Sequence, residues 1–142
     1  MKQSFTPLRL VLALVCTGNL SVAYLFFFSP DVVSSLFRLP PPTEVQQYLT
    51  MTIGALIGVF GVGGLLPLFK PLKYGAIIWM LLLMHFSIFL IDVVVLSRGL
   101  MDWKIVVPEM LYFLLVSTAL VRWYPLGSIE GTKKEELPLK QS

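Results

Sequence analysis

The sequence predicts an all-α integral membrane protein, a bundle of four transmembrane helices with a short interfacial helix between the first and second spans. Hydrophobic residues make up 56% of the 142 residues and charged residues only 13%, against roughly 25% charge in an average soluble domain. The hydrophobic residues also form four blocks, each close to the ~20 residues that cross a bilayer. They lie at 8–28, 48–69, 75–96 and 105–124, within one membrane domain at 1–125.

The first span is predicted to be a retained helix rather than a cleaved signal peptide. Lys2 and Arg9 precede the apolar stretch, as they would in a signal peptide. The apolar region of a signal peptide is however only ~7–15 residues long and ends at small residues. Here the stretch continues to Phe28 and is followed by Pro30, so we expect a transmembrane helix.

The connector after the first span predicts a short helix and then the start of the second span. Ser29, Pro30 and Asp31 supply a capping residue, a proline at the first helical position and an acid in the first turn. Thr43 and Gln46 have the spacing of a capping box, which predicts that the second span begins there.

Three glycines in the second span are spaced for close helix packing. Gly54 and Gly58 form a GxxxG element, and Gly61 extends the same helix face. Such a strip packs either against another helix of the bundle or against a second copy in a homo-oligomer, and the spacing does not decide between them. Pro67 and Pro71 are predicted to end this span.

Ionisable residues inside the spans are costly in hydrocarbon and therefore mark candidate functional positions. His85 and Asp92 are seven residues apart, so both project from one face of the third span, which Phe89 shares. Glu109 lies in the fourth span at a depth similar to that of Asp92. Such a set can supply an acid and a base, so His85, Asp92 and Glu109 are the candidate catalytic residues.

A second group of polar and aromatic residues is predicted near the bilayer midplane. A hydrogen-bonded trio of Asn19, His85 and Ser117 is geometrically feasible, and Tyr112 and Phe89 are suited to line a pocket. We therefore predict Asn19, Phe89, Tyr112 and Ser117 as ligand-binding residues. The alternative is purely structural, with Asn19 and His85 forming hydrogen bonds between helices.

The two carboxyls also have structural alternatives. Glu109 directly follows Pro108, so a helix that began at this proline would place the acid in its first turn, where the helix dipole favours negative charge. Asp92 could simply reach the membrane interface, or it could form an ion pair with basic residues on the same side of the membrane. These residues are Arg38, Arg98 and Lys104.

Composition and charge exclude several classes. A single cysteine, Cys16, cannot close a disulfide within the chain, and with a single histidine it offers no Cys/His metal site. The net charge of +3 does not indicate nucleic-acid binding, because the basic residues lie at the ends of the spans. Their excess on the side of the termini places both termini in the cytoplasm, where 126–142 are predicted to form a flexible tail. No cofactor motif is present.

The order of features along the chain is shared with a known family. It runs through Leu8-Arg9-Leu10, Phe28-Ser29-Pro30-Asp31, Leu36-Phe37-Arg38-Leu39-Pro40, the glycine-rich second span and Pro108-Glu109. This order resembles that of the DoxX-like group of small four-helix bacterial membrane proteins, and within it the BphX-like family, up to about residue 125. The resemblance implies a four-helix bundle in a bacterial inner membrane. Members of the group are associated with quinone-linked sulfur oxidation or redox stress, and BphX-like members occur among aromatic-degradation genes without an assigned activity.

Two functions from different classes follow from the sequence. One is an accessory or assembly subunit of a larger membrane or redox complex, in contact with membrane lipid and with a homo-oligomer or other subunits. The other is a membrane-embedded enzyme or binding protein for a lipophilic ligand, such as a quinone, a sterol-like lipid or an aromatic compound. In the second function His85 would act with Asp92 or Glu109. A proton-linked transporter is a third hypothesis, since buried ionisable residues often mark ion pathways.

Overall fold

The structure, a computed structural model, describes residues 6–124. Within this range the regular structure is entirely helical, and four spans are long and apolar enough to cross a membrane: α1, α3 together with α4, α5 and α6. The predicted all-α, four-span architecture is therefore confirmed, whereas the predicted tail at 126–142 lies outside the described residues. The helices are α1 (Thr6–Phe28), α2 (Pro30–Leu36), α3 (Glu44–Gly63), α4 (Leu65–Phe69), α5 (Gly75–Ser97) and α6 (Trp103–Trp123).

Local sequence signals set the starts of α2 and α3. Pro30 is the first residue of α2 and Asp31 lies in its first turn, although the side chain of Ser29 forms no capping hydrogen bond. The predicted capping box at α3 is confirmed. The Thr43 hydroxyl accepts a hydrogen bond from the Gln46 backbone N–H, and the Gln46 side chain accepts one from the Thr43 N–H at 2.8 Å.

The second span ends at Phe69, as its predicted bounds require, and of the two prolines predicted to end it Pro71 lies beyond that end whereas Pro67 lies within the span. α3 ends at Gly63, and after Gly64 the chain continues as α4, so that Pro67 is the third residue of a new helix. The first N–H groups of a helix have no acceptor within it, so a proline there loses little. The span therefore continues to Phe69.

The helices form two antiparallel pairs. α1 packs along α3, and α5 packs along α6. Contacts of α1 with α6, and of α4 with α1 and α5, connect the two pairs. We call the end of the bundle that holds Thr6, Tyr124 and the connection between α4 and α5 the terminal end. The opposite end, which holds α2 and the connection between α5 and α6, is the α2 end.

The glycine strip of α3 faces α1. A Cβ atom added at Gly54 would lie 2.8 Å from the Cβ of Phe26, and one added at Gly61 would lie 2.9 Å from Cγ of Leu20. Gly58 is less crowded, with 3.4 Å to the Cβ of Ala23. The strip thus lets two backbones of the same bundle approach closely.

The terminal half of the bundle is filled by side chains from three spans. Tyr124 closes the end of the cluster, with its hydroxyl directly against Gly75. Burial raises the pKa of the Tyr124 phenol, which therefore stays neutral. The terminal cluster consists of Leu8, Leu12, Val15, Ile78, Leu81, Val116, Leu120 and Tyr124.

Candidate functional site

A cavity lies between the two helix pairs. It begins next to the terminal cluster and extends toward the α2 end. Its volume is about 540 Å³, within the roughly 300–1,000 Å³ of typical small-molecule sites. All four spans contribute to its wall. The wall includes Leu14, Gly18, Asn19, Val22 and Phe26 from α1, Ile53 and Ile57 from α3, Met84 and Ile88 from α5, and Glu109, Tyr112 and Phe113 from α6.

Most of this wall is apolar, and three of its polar side chains are those of Asn19, Glu109 and Tyr112. Tyr112 reaches across to α1, where a Cβ atom added at Gly18 would lie 3.0 Å from the tyrosine hydroxyl oxygen. The absence of a side chain at Gly18 therefore leaves room for the hydroxyl against the α1 backbone. A ligand in the cavity meets a carboxyl, a phenol and an amide within a largely hydrocarbon surface.

The carboxyls of Glu109 on α6 and Asp92 on α5 are near enough for their charges to interact. Asp92 is only 8% exposed, and its Oδ2 atom has no hydrogen-bond partner among residues 6–124. Asp92 is not among the residues that line the cavity. The structure therefore brings together the two carboxyls that the sequence placed at similar depth.

The structure contradicts the helix-dipole explanation of Glu109 and the ion-pair explanation of Asp92. α6 begins at Trp103 rather than at Pro108, because the Asp102 carboxylate caps it by accepting from the Lys104 backbone N–H at 3.0 Å. Glu109 consequently lies beyond the first turn, where the helix dipole no longer stabilises an acid. In the described part of the chain no basic group pairs with Asp92, and Arg38 instead lies 4.0 Å from Asp102.

His85 is completely buried behind the same wall. Its Nδ1 donates a hydrogen bond to the carbonyl oxygen of Leu81 at 2.7 Å, which makes Nε2 the acceptor of the neutral ring. Nε2 has no partner among the described residues. The ring centroid lies 6.2 Å from that of Tyr112 and 5.5 Å from that of Phe113. His85 thus packs against two aromatic rings of the wall without being part of it.

The predicted hydrogen-bonded trio is not formed. Asn19 Nδ2 and Ser117 Oγ are, like His85 Nε2, buried without a partner in the described chain. Asn19 lines the cavity, whereas Ser117 lines a separate groove of about 490 Å³ between α5 and α6, next to Thr118 and Arg122. The structure therefore separates Ser117 from Asn19.

Of the predicted ligand-binding residues, Asn19 and Tyr112 line the cavity and Phe89 does not. The Phe89 ring stacks on Phe86 on the same helix, with centroids 6.2 Å apart and an interplanar angle of 25°. Of the predicted catalytic residues, Glu109 lines the cavity. His85 is buried against the wall residues Tyr112 and Phe113, and Asp92 is buried outside the lining.

Several residues of the wall were not singled out from the sequence. Their signal is a repeat of four residues, which keeps side chains on one helix face. It is present in α1 as Leu14, Gly18, Val22 and Phe26, and in α3 as Ile53 and Ile57. Such repeats occur on every apolar helix, so they identify a cavity only when the rotation of each helix is known.

Within residues 6–124 no group of three or more His, Cys, Asp or Glu side chains is placed to hold a metal ion. Comparison of the chain with family models, with curated proteins and with solved structures finds no match.

Proposed function

We propose that this membrane protein binds a lipophilic small molecule in the cavity between its two helix pairs. The observation that supports this proposal is the cavity itself, which is large enough for such a molecule and has a largely apolar wall with few polar groups. The cavity lies within the spans, so a molecule dissolved in the bilayer reaches it without crossing water.

The residues divide into those that contact the ligand and those that support them. Glu109, Tyr112 and Asn19 line the cavity and bind the polar part of the ligand. His85 packs against the Tyr112 ring and fixes its position. Because His85 is 0% exposed and lies outside the wall, binding has more support than acid–base catalysis by this histidine.

The test is native mass spectrometry of the protein extracted with a mild detergent from its own membrane. We expect the wild type to carry a small molecule. Val22→Trp fills the cavity and should remove that molecule, because Val22 is part of the wall. The matched control is Val59→Trp, since Val59 is 69% exposed on α3 and lies outside the cavity. Wild-type protein with no bound small molecule, or equal retention by both variants, would count against the proposal.

The second candidate function is an accessory or assembly subunit of a larger membrane or redox complex. The small size of the chain and its short connectors support this candidate. The glycine strip no longer does, because Gly54 and Gly61 pack against α1 of the same bundle. The same mass spectrum distinguishes the functions, since an accessory subunit would retain other polypeptides rather than a small molecule.

We further propose a bacterial inner membrane as the location, with the terminal end in the cytoplasm, and membership of the DoxX-like group, nearest to its BphX-like family. Within residues 6–124 the terminal end carries Arg9, Lys70, Lys73 and Arg122 and no acidic residue, the distribution expected of a cytoplasmic side. Reporter fusions test the orientation. Alkaline phosphatase should be active when inserted after Gly99 and inactive when fused to the C-terminus. The reverse pattern would refute the proposed orientation.

A further inference from the structure

From the charges around the cavity we infer that its ligand is a lipophilic cation, an amine or a quaternary onium compound with apolar substituents. This inference rests on the proposed function and adds the chemical class of the ligand. A carboxyl in the wall, a second carboxyl near it and an aromatic surface carry the inference, and an unpartnered amide indicates that the ligand is polar.

The carboxyls of Glu109 and Asp92 have no compensating charge in the described structure. Three basic residues lie at the α2 end, and none of them forms an ion pair with either carboxyl. Arg38 pairs with Asp102. Lys104 lies over the Trp103 ring, 5.9 Å from its centroid. Arg98 is exposed beyond the end of α5. A cation bound at Glu109 supplies the opposite charge that the protein itself does not provide.

The aromatic residues of the wall provide the second contact. Phe26 from α1 and Tyr112 and Phe113 from α6 all line the same cavity as Glu109. The face of an aromatic ring attracts a cation, and the attraction is larger when water is excluded. A carboxyl beside several aromatic rings therefore favours an onium group over a neutral polar group of the same size.

Asn19 supplies an independent indication that a polar ligand belongs here. It is 6% exposed, it lines the cavity, and its amide nitrogen has no partner among residues 6–124. A buried polar group without a partner is costly and calls for an explanation. The Nδ2 group donates, so it indicates a ligand with an oxygen or nitrogen acceptor besides its cationic group.

The test measures binding of probes that share a shape and differ in charge. The wild-type protein is reconstituted in phosphatidylcholine nanodiscs, and binding of tetraphenylphosphonium, tetraphenylborate and neutral triphenylphosphine oxide is titrated, with empty nanodiscs to subtract partition into lipid. We expect the phosphonium cation to bind at least about tenfold more tightly than the neutral probe, a difference of about 1.4 kcal/mol. The borate anion should not bind.

Isosteric variants assign the selectivity to the carboxyls. Glu109→Gln should lower phosphonium affinity about tenfold or more while leaving the affinity for the neutral probe unchanged. Asp92→Asn should act in the same direction with a smaller effect, because Asp92 does not line the cavity. The matched controls are Glu44→Gln and Asp31→Asn, whose carboxyls lie outside the cavity at the starts of α3 and α2.

The outcomes separate this inference from the proposed function. If the neutral probe binds as tightly as the cation and Val22→Trp removes both, the cavity binds lipophilic molecules and the inference of a cation is overturned. If no probe binds to the wild type and no small molecule is retained from the native membrane, both fail. The wild-type comparison decides the question even where a variant does not fold.

Discussion

The terminal half and the α2 half of this bundle are made from the same helices and differ in what lies between the pairs. Near the terminal end, side chains such as Leu12 and Leu81 are fully buried against one another. Toward the α2 end, the space between the pairs holds the cavity, and next to it are buried polar atoms of Asn19, His85 and Asp92 without partners. One half is filled by packed side chains, with Ser117 as its unpartnered buried polar group, and the other holds the cavity and three such groups in the described chain.

The comparison is tested most strongly by truncating one side chain in each half. Leu81→Ala leaves a void in the terminal cluster and should lower the free energy of unfolding by about 2–5 kcal/mol. Met84→Ala, less than one turn further along α5, removes atoms that already face the cavity. It should cost about 1 kcal/mol or less. Unfolding in mixed detergent micelles measures both, and equal losses would contradict the contrast between the halves.

A pair of glycine variants sharpens the comparison. It tests whether α1 and α3 pack tightly against each other in the α2 half, so that the open space lies only between the two helix pairs. A Cβ at Gly54 would lie 3.0 Å from the Phe27 backbone nitrogen, which cannot move aside. We expect Gly54→Ala to cost about 1–3 kcal/mol and Gly58→Ala to stay within about 0.5 kcal/mol. The unfolding free energies provide the check, and a tolerated Gly54→Ala would show that α1 and α3 are loosely packed.

Removing an amide from the α2 half and adding one to the terminal half should have opposite effects on the free energy of unfolding. Asn19→Leu removes an unpartnered amide and is expected to stabilise the fold by about 1 kcal/mol while weakening ligand binding. Val15→Asn, one turn earlier on α1, places an amide in the terminal cluster and should destabilise it by about 1–3 kcal/mol. Unfolding without added ligand tests the pair. Destabilisation by Asn19→Leu would show that Asn19 stabilises the bundle itself.

The smallest effect is expected at the ion pair of the α2 end. Arg38 and Asp102 have side chains that are 74% and 40% exposed, and their charged atoms lie 4.0 Å apart. Arg38→Ala should therefore change the free energy of unfolding by less than about 0.5 kcal/mol. A double-mutant cycle with Asp102→Asn measures the coupling of the pair. A coupling free energy larger than the cost of Gly54→Ala would mean that this ion pair is a main source of stability at the α2 end.

The fold could be predicted largely from the sequence because each span depends on local composition. Length and hydropathy identify the four spans, and Thr43 and Gln46 specify a helix start through contacts made within one turn. The start of α6 was predicted too late, at Ile105, because the capping role of Asp102 was not recognised. Span length follows from composition, whereas the exact ends depend on individual hydrogen bonds.

The candidate site was only partly predictable, for a different reason. Helix geometry places His85 and Asp92 on one face, and depth places Asp92 opposite Glu109, so both relations follow from residue spacing. The rotation of α6 about its own axis cannot be predicted from residue spacing, because packing against neighbouring helices sets this rotation. Tyr112 consequently lies in the cavity, whereas Ser117 lies in the separate groove between α5 and α6.

The terminal cluster has a mechanical consequence. The terminal cluster joins the helix pairs around Leu81 and Tyr124, and α5 continues from Leu81 to Ser97 over about 24 Å at the rise of an α-helix. A change of about 5° in the angle between the pairs about this point would move their far ends by about 2 Å. A small change at the closed end would therefore alter the width of the cavity toward the α2 end, as a lever enlarges a movement made at its pivot.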